Sequence, residues 1–497
     1  MLSCSMTSWV CMRHNGTMKR ATVPLPSGFG VVFDQDTQFI GTDVLFGGSP
    51  PRLLRLGAAE VRALEELRAG PVGAPDSGRL ARRLTDAGLA HPRPHGAGPS
   101  DVTVVIPVRN RPAGLARCLS ALGSDYPVIV VDDGSADPAA VAALCDKHGA
   151  RLRRRPRPGG AGPARNDGLA MVTTPLVAFL DSDCAAGPEW IRQLAPHFAD
   201  PMVGAVAPRV RPVTGPGSTG RYLDARPPID LGPREAGVAP RTRVAYVSTA
   251  ALLVRRDAIG AGFDPDLRYG EDVDFIWRMI DAGWRVRYDP SGLVSHTEPC
   301  RWTRVLARRL KYGKSAAPLS RRHPGRVPPL ILQAWPAVSV SALLARRPLT
   351  AVTAYGAATA QLVGLLREWD VPARGVLRPM AESVLQTWLV MGKWSIQFAL
   401  PAVAAGIVRP GGRTRLARTA RRLALASLIA GPPAAEWLRT RPGLDPARFA
   451  LWYLADEAAY GAGVYRGAAT ERTAAPLIPQ IAWRPLPRPG EANETAT

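Results

Sequence analysis

Apolar positions fall into two regimes along the 497-residue chain. Before about residue 300 they come in short runs bounded by polar residues. "VTVVIPV", "PVIVVDDGS" and "LVAFLDSD" are continuous apolar runs of strand length. Between them lie segments of helical period. "RPAGLARCLSAL" puts Leu115, Cys118, Leu119 and Leu122 on one face, with Pro112 in the first turn and Asn110 as the expected cap. "DPAAVAALCDKHG" and "PARNDGLAMV" predict two more helices. In "DPDLRYGEDVDFIWRMIDAG", Val273, Ile276, Trp277 and Ile280 form an apolar stripe that stops at Gly283, and a strand-like "WRVRYDPSGLVSH" follows. Strand–helix alternation over residues 101–300 predicts an α/β domain with a parallel sheet and helices on both faces. Ligands of such sheets bind outside the carboxyl ends of the strands.

The flanks read differently. Residues 25–95 predict a small winged module. "GFGVVFDQDTQFIG" and "TDVLFGG" supply short strands. "RLLRLGAAEVRALEELRAG" supplies a helix with Val61, Leu64 and Leu67 in phase, and "GRLARRLTDAGLAHP" a second with Leu80 and Leu84. "HPRPHGAGPS" reads as a linker to the α/β domain at 100–300. From residue 327 the apolar stretches lengthen: "VPPLILQAWPAVSVSALLA", "PLTAVTAYGAATAQLVGLL" and "SVLQTWLVMGKWSIQFALPAVAAGIV". Each nears membrane-spanning length yet carries Gln, Pro, Lys or several Ala and Ser. Membrane insertion or surface docking, and buried or interfacial helices of a soluble domain, both fit a helical region over 301–465. Residues 1–24 read as a disordered leader, because charges follow the weakly apolar part instead of preceding it. Residues 466–497 read as a disordered Pro-rich tail.

Charge narrows the choice of partner. The chain has 63 Lys+Arg against 41 Asp+Glu, and no acid between Glu298 and Glu368. An excess of that size favours an anionic partner. "RWTRVLARRLKYGKSAAPLSRRHPGR" concentrates it, either as a solvated face or as an anchor for an anionic substrate or headgroup. No recognisable nucleic-acid module or aromatic interleaving accompanies the charge, so no nucleic-acid partner is expected. The six cysteines form no CxxC pair and no His lies at finger spacing, which speaks against zinc and makes a cytoplasmic location the default.

Candidate chemistry collects where strands end. Asp132 and Asp133 in "VVDDGS", and Asp181 and Asp183 in "FLDSD", converge on one crevice if the sheet is parallel. Carboxylates packed so closely repel unless a divalent cation and hydrogen-bond donors lie between them. One Asp of the DSD can take a metal and the other a ribose hydroxyl, although an Asx-turn at a strand end gives the same string. Asp133 can accept from the imide N–H of a pyrimidine while Asp132 braces the loop. Glu271 and Asp272 open a helix whose dipole favours ionised carboxylates, so they are either capping acids or catalytic ones. His296 as a neutral imidazole can complete a metal shell begun by Asp183, or is an ordinary surface or core histidine. "PGGAGPARN" lacks both the third glycine of a dinucleotide fingerprint and the Lys-Ser/Thr of a P-loop.

In this order, "VVIPVRNR", "VVDDGS", "GPARNDGL", "FLDSD" and "GEDVDFIWR" resemble the inverting family-2 glycosyltransferases with the Rossmann-like glycosyltransferase-A fold. The resemblance covers about residues 101–300. It implies that Pro107, Arg109 and Asp133 line a nucleotide pocket, with Asn166 near the diphosphate and Asp181 near the ribose. It also implies Mg²⁺ or Mn²⁺ on Asp183, with His296 as a further ligand, and Asp272 as the base. "EPCRW" keeps Arg301 and Trp302 of a processive synthase motif but has Glu298 where that motif has Gln. The whole layout is similar to the glycosyltransferases of the mycofactocin system, with 25–95 similar to PqqD-like peptide-recognition modules. That likeness implies a nucleotide-sugar donor, UDP-glucose, a peptide-derived acceptor and a β-linked glucan product. The competing readings are a transferase for a polyprenyl-phosphate or cell-wall acceptor, and an inactive protein that binds sugar nucleotide and peptide.

Overall fold

A strand with no polar position must be covered on both faces. Residues Val102–Val108, Val128–Asp132 and Leu176–Leu180 come close to this: only Thr103 and the terminal Asp132 are polar, and every residue is buried. They lie at the centre of the larger of two compact units. A computed structural model describes residues 23–96, 98–368, 377–409 and 414–482. The larger unit contains residues 23–213 and Pro227–Glu298; the other contains Thr214–Arg226 and the chain from Pro299 on. The expected leader lies outside the described residues, apart from residues 23 and 24.

The larger unit begins with β1 (Gly30–Phe33), β2 (Gln38–Ile40), β3 (Val44–Gly47), β4 (Arg52–Arg55), α1 (Ala58–Ala69), α2 (Pro75–Ala87) and β5 (Ala90–Arg93). Strands β2, β3 and β4 form an antiparallel sheet, and β1 pairs with β5. Leu64, Leu67, Leu80 and Leu84 fill the core beneath them, with Val61 packed at its margin. Two elements depart from expectation. "RLLR" opens as strand β4, because Pro50 and Pro51 precede it and Gly57 starts the helix. "AHPR" forms β5 instead of a helix end and linker, its proline tolerated on an edge strand.

The central sheet uses β6 (Val102–Val108), β7 (Val128–Asp132), β8 (Arg151–Arg154), β9 (Leu176–Leu180), β10 (Cys184–Ala185), β11 (Val203–Val213), β12 (Ala236–Val238), β13 (Ala251–Arg255) and β14 (Arg285–Thr297). Interleaved helices are α3 (Pro112–Leu122), α4 (Pro138–Lys147), α5 (Ala161–Leu169), α6 (Glu189–Leu194), α7 (Ser218–Ala225, in the other unit) and α8 (Glu271–Asp281). The strand order is β10-β14-β11-β13-β9-β6-β7-β8, with β12 alongside β14. Strands β8, β7, β6 and β9 run parallel, but β13 is antiparallel to β9 and to β11. The sheet is therefore mixed, which corrects the parallel sheet expected. The reversal lies on the far side of β9 from β6, so the carboxyl ends of β6, β7 and β9 still share one edge. One face of the sheet packs on α3 through Leu115, Cys118, Leu119 and Leu122. The other meets α5 closely: a Cβ on Gly168 would lie 2.4 Å from Val105 Cγ1.

The second unit is helical: α7, α9 (Trp302–Lys314), α10 (Ala316–Arg322), α11 (Ala334–Leu344), α12 (Pro348–Glu368), α13 (Leu377–Trp394), α14 (Leu400–Val408), α15 (Arg415–Thr440) and α16 (Pro446–Thr470). A π-helical turn at Ser395–Ala399 joins α13 to α14. Small residues let α9 and α16 cross closely, since a Cβ on Gly463 would lie 2.2 Å from Leu310 O. Arg226, Arg309 and Lys393 surround the buried Asp456 and Glu457, so Arg309 of the basic run serves an internal ion network. The expected tail is corrected over residues 466–482. Helix α16 runs to Thr470, and β16 (Gln480–Ala482) pairs in parallel with β15 (Ile331–Gln333). Residues 483–497 lie outside the described residues.

Candidate active site

The loops after β6 and β7 are tied together first. Asp133 N donates to Val108 O at 2.9 Å. Asn110 sits at φ 54° and does not cap α3, as the sequence suggests it should. Its backbone N–H donates to Ser135 Oγ at 2.9 Å, and its side-chain Oδ1 accepts from Ala136 N at 2.8 Å. Pro107 is buried within β6, and Arg109 beside it is exposed. Gly134 takes φ 72°, and a Cβ there would lie 3.2 Å from Pro158.

Both aspartates of "VVDDGS" brace loops. Asp132 Oδ1 accepts from Ser135 N at 2.9 Å, while its buried Oδ2 has no hydrogen-bond partner among the described residues. Asp133 accepts from Gly159 N and Gly160 N, each at 2.8 Å, and pairs with Arg155 at 3.0 Å. Asp133 thus carries the start of α5, and Asp132 keeps the unfilled oxygen. That inventory departs from the expected division, in which only Asp132 braced.

Helix α5 brings in Arg165, which sequence reasoning missed. Its side chain is 3% exposed. Nη2 donates to Asp181 Oδ1 at 2.6 Å, and Nη1 to Glu271 Oε1 at 3.2 Å. One guanidinium therefore joins the end of β9 to the first turn of α8. The available signal was a lone arginine among Ala161, Gly162, Ala164 and Gly168, in a helix that can only pack tightly. Asn166, expected near a diphosphate, pins a neighbouring loop: Nδ2 donates to Phe263 O at 2.7 Å, and Oδ1 accepts from Phe263 N at 2.8 Å.

Asp272 follows Gly270, whose φ of 81° starts α8. Burial pushes the Asp272 carboxyl up to about 7, and the Glu271 charge adds to this, against the Val273 N–H and Arg165. Its Oδ1 accepts from Val273 N at 2.8 Å. Asp183 lies beyond the tight turn after β9. The Arg111 guanidinium is in contact with its Oδ2, and His296 Nε2 stands 3.6 Å from its Oδ1. His296 Nδ1 is 3.0 Å from the fully buried Glu298. Burial alone lowers the His296 pKa, but the Glu298 hydrogen bond and the Asp183 charge outweigh it and raise it above the usual imidazole value.

The structure thus brings Asp181, Glu271 and Asp272 together through Arg165, and Asp183 together with His296. A single Ser182 separates the two groups. Among the described residues no three His, Cys, Asp or Glu side chains form a metal cage. Asp183 and His296 alone offer one hard oxygen and one imidazole nitrogen, a set suited to Mn²⁺ or Mg²⁺ when substrate and water complete the shell. A guanidinium already held against Asp183 marks a place where positive charge is favoured.

Residues 103–261 match the family model for Glycosyl transferase family 2. The chain is 40% identical over 482 residues to the pre-mycofactocin glycosyltransferase of Mycobacterium tuberculosis (strain ATCC 25618 / H37Rv), covering 92% of this chain and 98% of that one. It is 31% identical over 205 residues to the succinoglycan biosynthesis protein ExoU of Rhizobium meliloti (strain 1021), covering 38% and 60%. A solved mannosyltransferase, PcManGT from Pyrobaculum calidifontis in complex with GDP-Man and Mn²⁺, is 19% identical with TM-score 0.40, covering 75% of this chain and 87% of that one. With identity sustained over nearly the full length of one such enzyme, this chain belongs to the family-2 glycosyltransferases.

Proposed function

We propose that this enzyme moves glucose from UDP-glucose, with inversion, onto the peptide-derived precursor of mycofactocin and builds a β-linked oligosaccharide. The observation that carries the reaction is the half-buried carboxylate of Asp272 beside Glu271, which Arg165 links to Asp181 at the end of β9. A carboxylate with its pKa near 7 is half-ionised at neutral pH, where a general base works best. Asp272 takes the proton of an acceptor hydroxyl. That oxygen then attacks the anomeric carbon from the side opposite the nucleotide, and the bond to the diphosphate oxygen breaks with its electron pair leaving on UDP. One displacement inverts the centre and needs no covalent enzyme intermediate.

Asp183 and His296 would hold Mg²⁺ or Mn²⁺, which supplies charge neutralisation for the departing diphosphate. Pro107, Arg109, Asp132 and Asp133 line the base pocket in this reading, and Asp181 the ribose. Arg165 holds the carboxylates in register, and Glu298 orients the imidazole. Similarity over nearly the full length of the pre-mycofactocin glycosyltransferase supports the acceptor. In this reading a PqqD-like module at 25–95 recognises the peptide, and the chemistry takes place in the cytoplasm. A polyprenyl-phosphate acceptor is a second reading, favoured by two helices among the described residues that are long and apolar enough to cross a membrane.

Purified protein incubated with labelled UDP-glucose, Mn²⁺ and either acceptor separates the two. Label on the peptide-derived acceptor is expected, lost in Asp272→Asn. Label only on the lipid would overturn the acceptor assignment. Unchanged transfer by Asp272→Asn would overturn the base.

A further inference from the structure

The second unit carries an unusual tip. Two helix corners meet there: the α11–α12 corner around Arg346, and the end of α14 with the start of α15. Arg346 donates to Ala417 O at 3.3 Å, and Arg421 to Arg409 O at 3.3 Å, so the corners are joined. Large apolar side chains at the tip face solvent: Leu349 is 81% exposed, Val352 67%, Val408 76% and Leu416 82%. The helices behind them are not core helices either. Only 22% and 17% of the most apolar windows of Pro348–Glu368 and Met380–Val408 are buried. Contiguous exposed apolar surface of this kind marks an interaction site.

The charges at the tip are all of one sign. Arg346, Arg347, Arg409 and Arg415 are exposed there. No Asp or Glu occurs in residues 299–367 or 383–435. Leucines among arginines, without acids, complement a surface with apolar depth and anionic headgroups. A protein partner or second copy would need acidic side chains to meet these arginines, and this patch offers a second copy none.

We infer that this tip docks the enzyme onto an anionic phospholipid bilayer, with Leu349, Val352, Val408 and Leu416 entering the acyl boundary and the arginines engaging lipid phosphates. The inference goes beyond the donor and acceptor reading and does not depend on it, because binding is measured without turnover.

The test is co-sedimentation of the full chain with phosphatidylcholine vesicles, with and without phosphatidylglycerol. Anionic vesicles should bind at least about tenfold more tightly, and added salt should weaken that binding. Each arginine near the surface is worth about fivefold, so Arg347→Glu with Arg415→Glu should cost at least about 25-fold. Leu349→Glu with Leu416→Glu should also abolish docking. UDP binding by calorimetry should match wild type in both variants, showing that the chain is folded. Equal binding to neutral and anionic vesicles would overturn the inference. So would protein that stays in the membrane fraction after salt washing and needs detergent, which would mean a spanning anchor. A dimer by light scattering that the leucine variant dissociates, without vesicle binding by wild type, would also refute it. Failure of sugar transfer would leave the vesicle result untouched.

Discussion

Asp272→Asn separates the catalytic use of a buried carboxylate from its cost to the fold. In the folded enzyme, burial and the Glu271 charge push this carboxyl from 3.8 up to about 7. The folded state therefore holds its proton more tightly than the unfolded chain does. Below about pH 4 both states are protonated and the group costs nothing. As pH rises from there to about 7 the unfolded chain releases the proton first, so stability falls; above about 7 the full cost is present. Three pH units correspond to about 4 kcal/mol at most. Asp272 keeps some solvent contact and shares its charge with Glu271, so about 2 kcal/mol is the working figure. Asparagine keeps the acceptor for Val273 N–H and removes the charge. The variant should be more stable than wild type at about pH 8, by ~4–8 °C in melting temperature, with the gap closing toward about pH 4. Transfer should fall by about 10²–10⁴ while UDP binding holds. Paired thermal melts across that range, with calorimetry of UDP, read all three effects. A variant no more stable at high pH than at low pH would refute the buried-base reasoning.

Wild-type transfer should rise with pH through about 7 and then level off, as Asp272 ionises; a rate independent of pH there would contradict it. Arg165→Met leaves Asp181 and Glu271 without their shared counter-charge. It should destabilise the fold by about 3–5 kcal/mol and move the rising limb of the pH–rate curve upward, with Arg165→Lys recovering part of both. Glu298→Gln should weaken Mn²⁺ binding by about 10–100-fold, measured by electron paramagnetic resonance, without changing metal-free UDP binding. Gly168→Ala should lower soluble yield sharply, because its Cβ would meet Val105 at 2.4 Å.

The strands that position the site were legible because β6, β7 and β9 are almost wholly apolar, with acids at the carboxyl ends of β7 and β9, and α8 because its stripe is regular. The mixed sheet was not. Nothing in "ALLVR" marks β13 as antiparallel to β9; that orientation follows from the long excursion between β11 and β13. Asp183 and His296 lie over a hundred residues apart, yet the family motifs named both. Arg165 and Glu271 are equally distant in sequence, and their bond went unseen because no local pattern distinguishes a buried ion pair from a solvated arginine. The bracing role of Asp133 escaped for a related reason: its partners are the backbone N–H groups of Gly159 and Gly160, which every residue but proline possesses. The C-terminal third was read only as apolar, since length and composition do not tell which helix faces stay uncovered.

The most direct test of a cation-assisted, base-driven inversion is the linkage formed when the purified enzyme transfers isotopically labelled glucose from UDP-glucose to the peptide-derived acceptor with Mn²⁺ present. The account predicts a β-glucosidic product by nuclear magnetic resonance, and none once a chelator removes the metal. An α-linked product, or transfer that continues unchanged with the chelator, would contradict it.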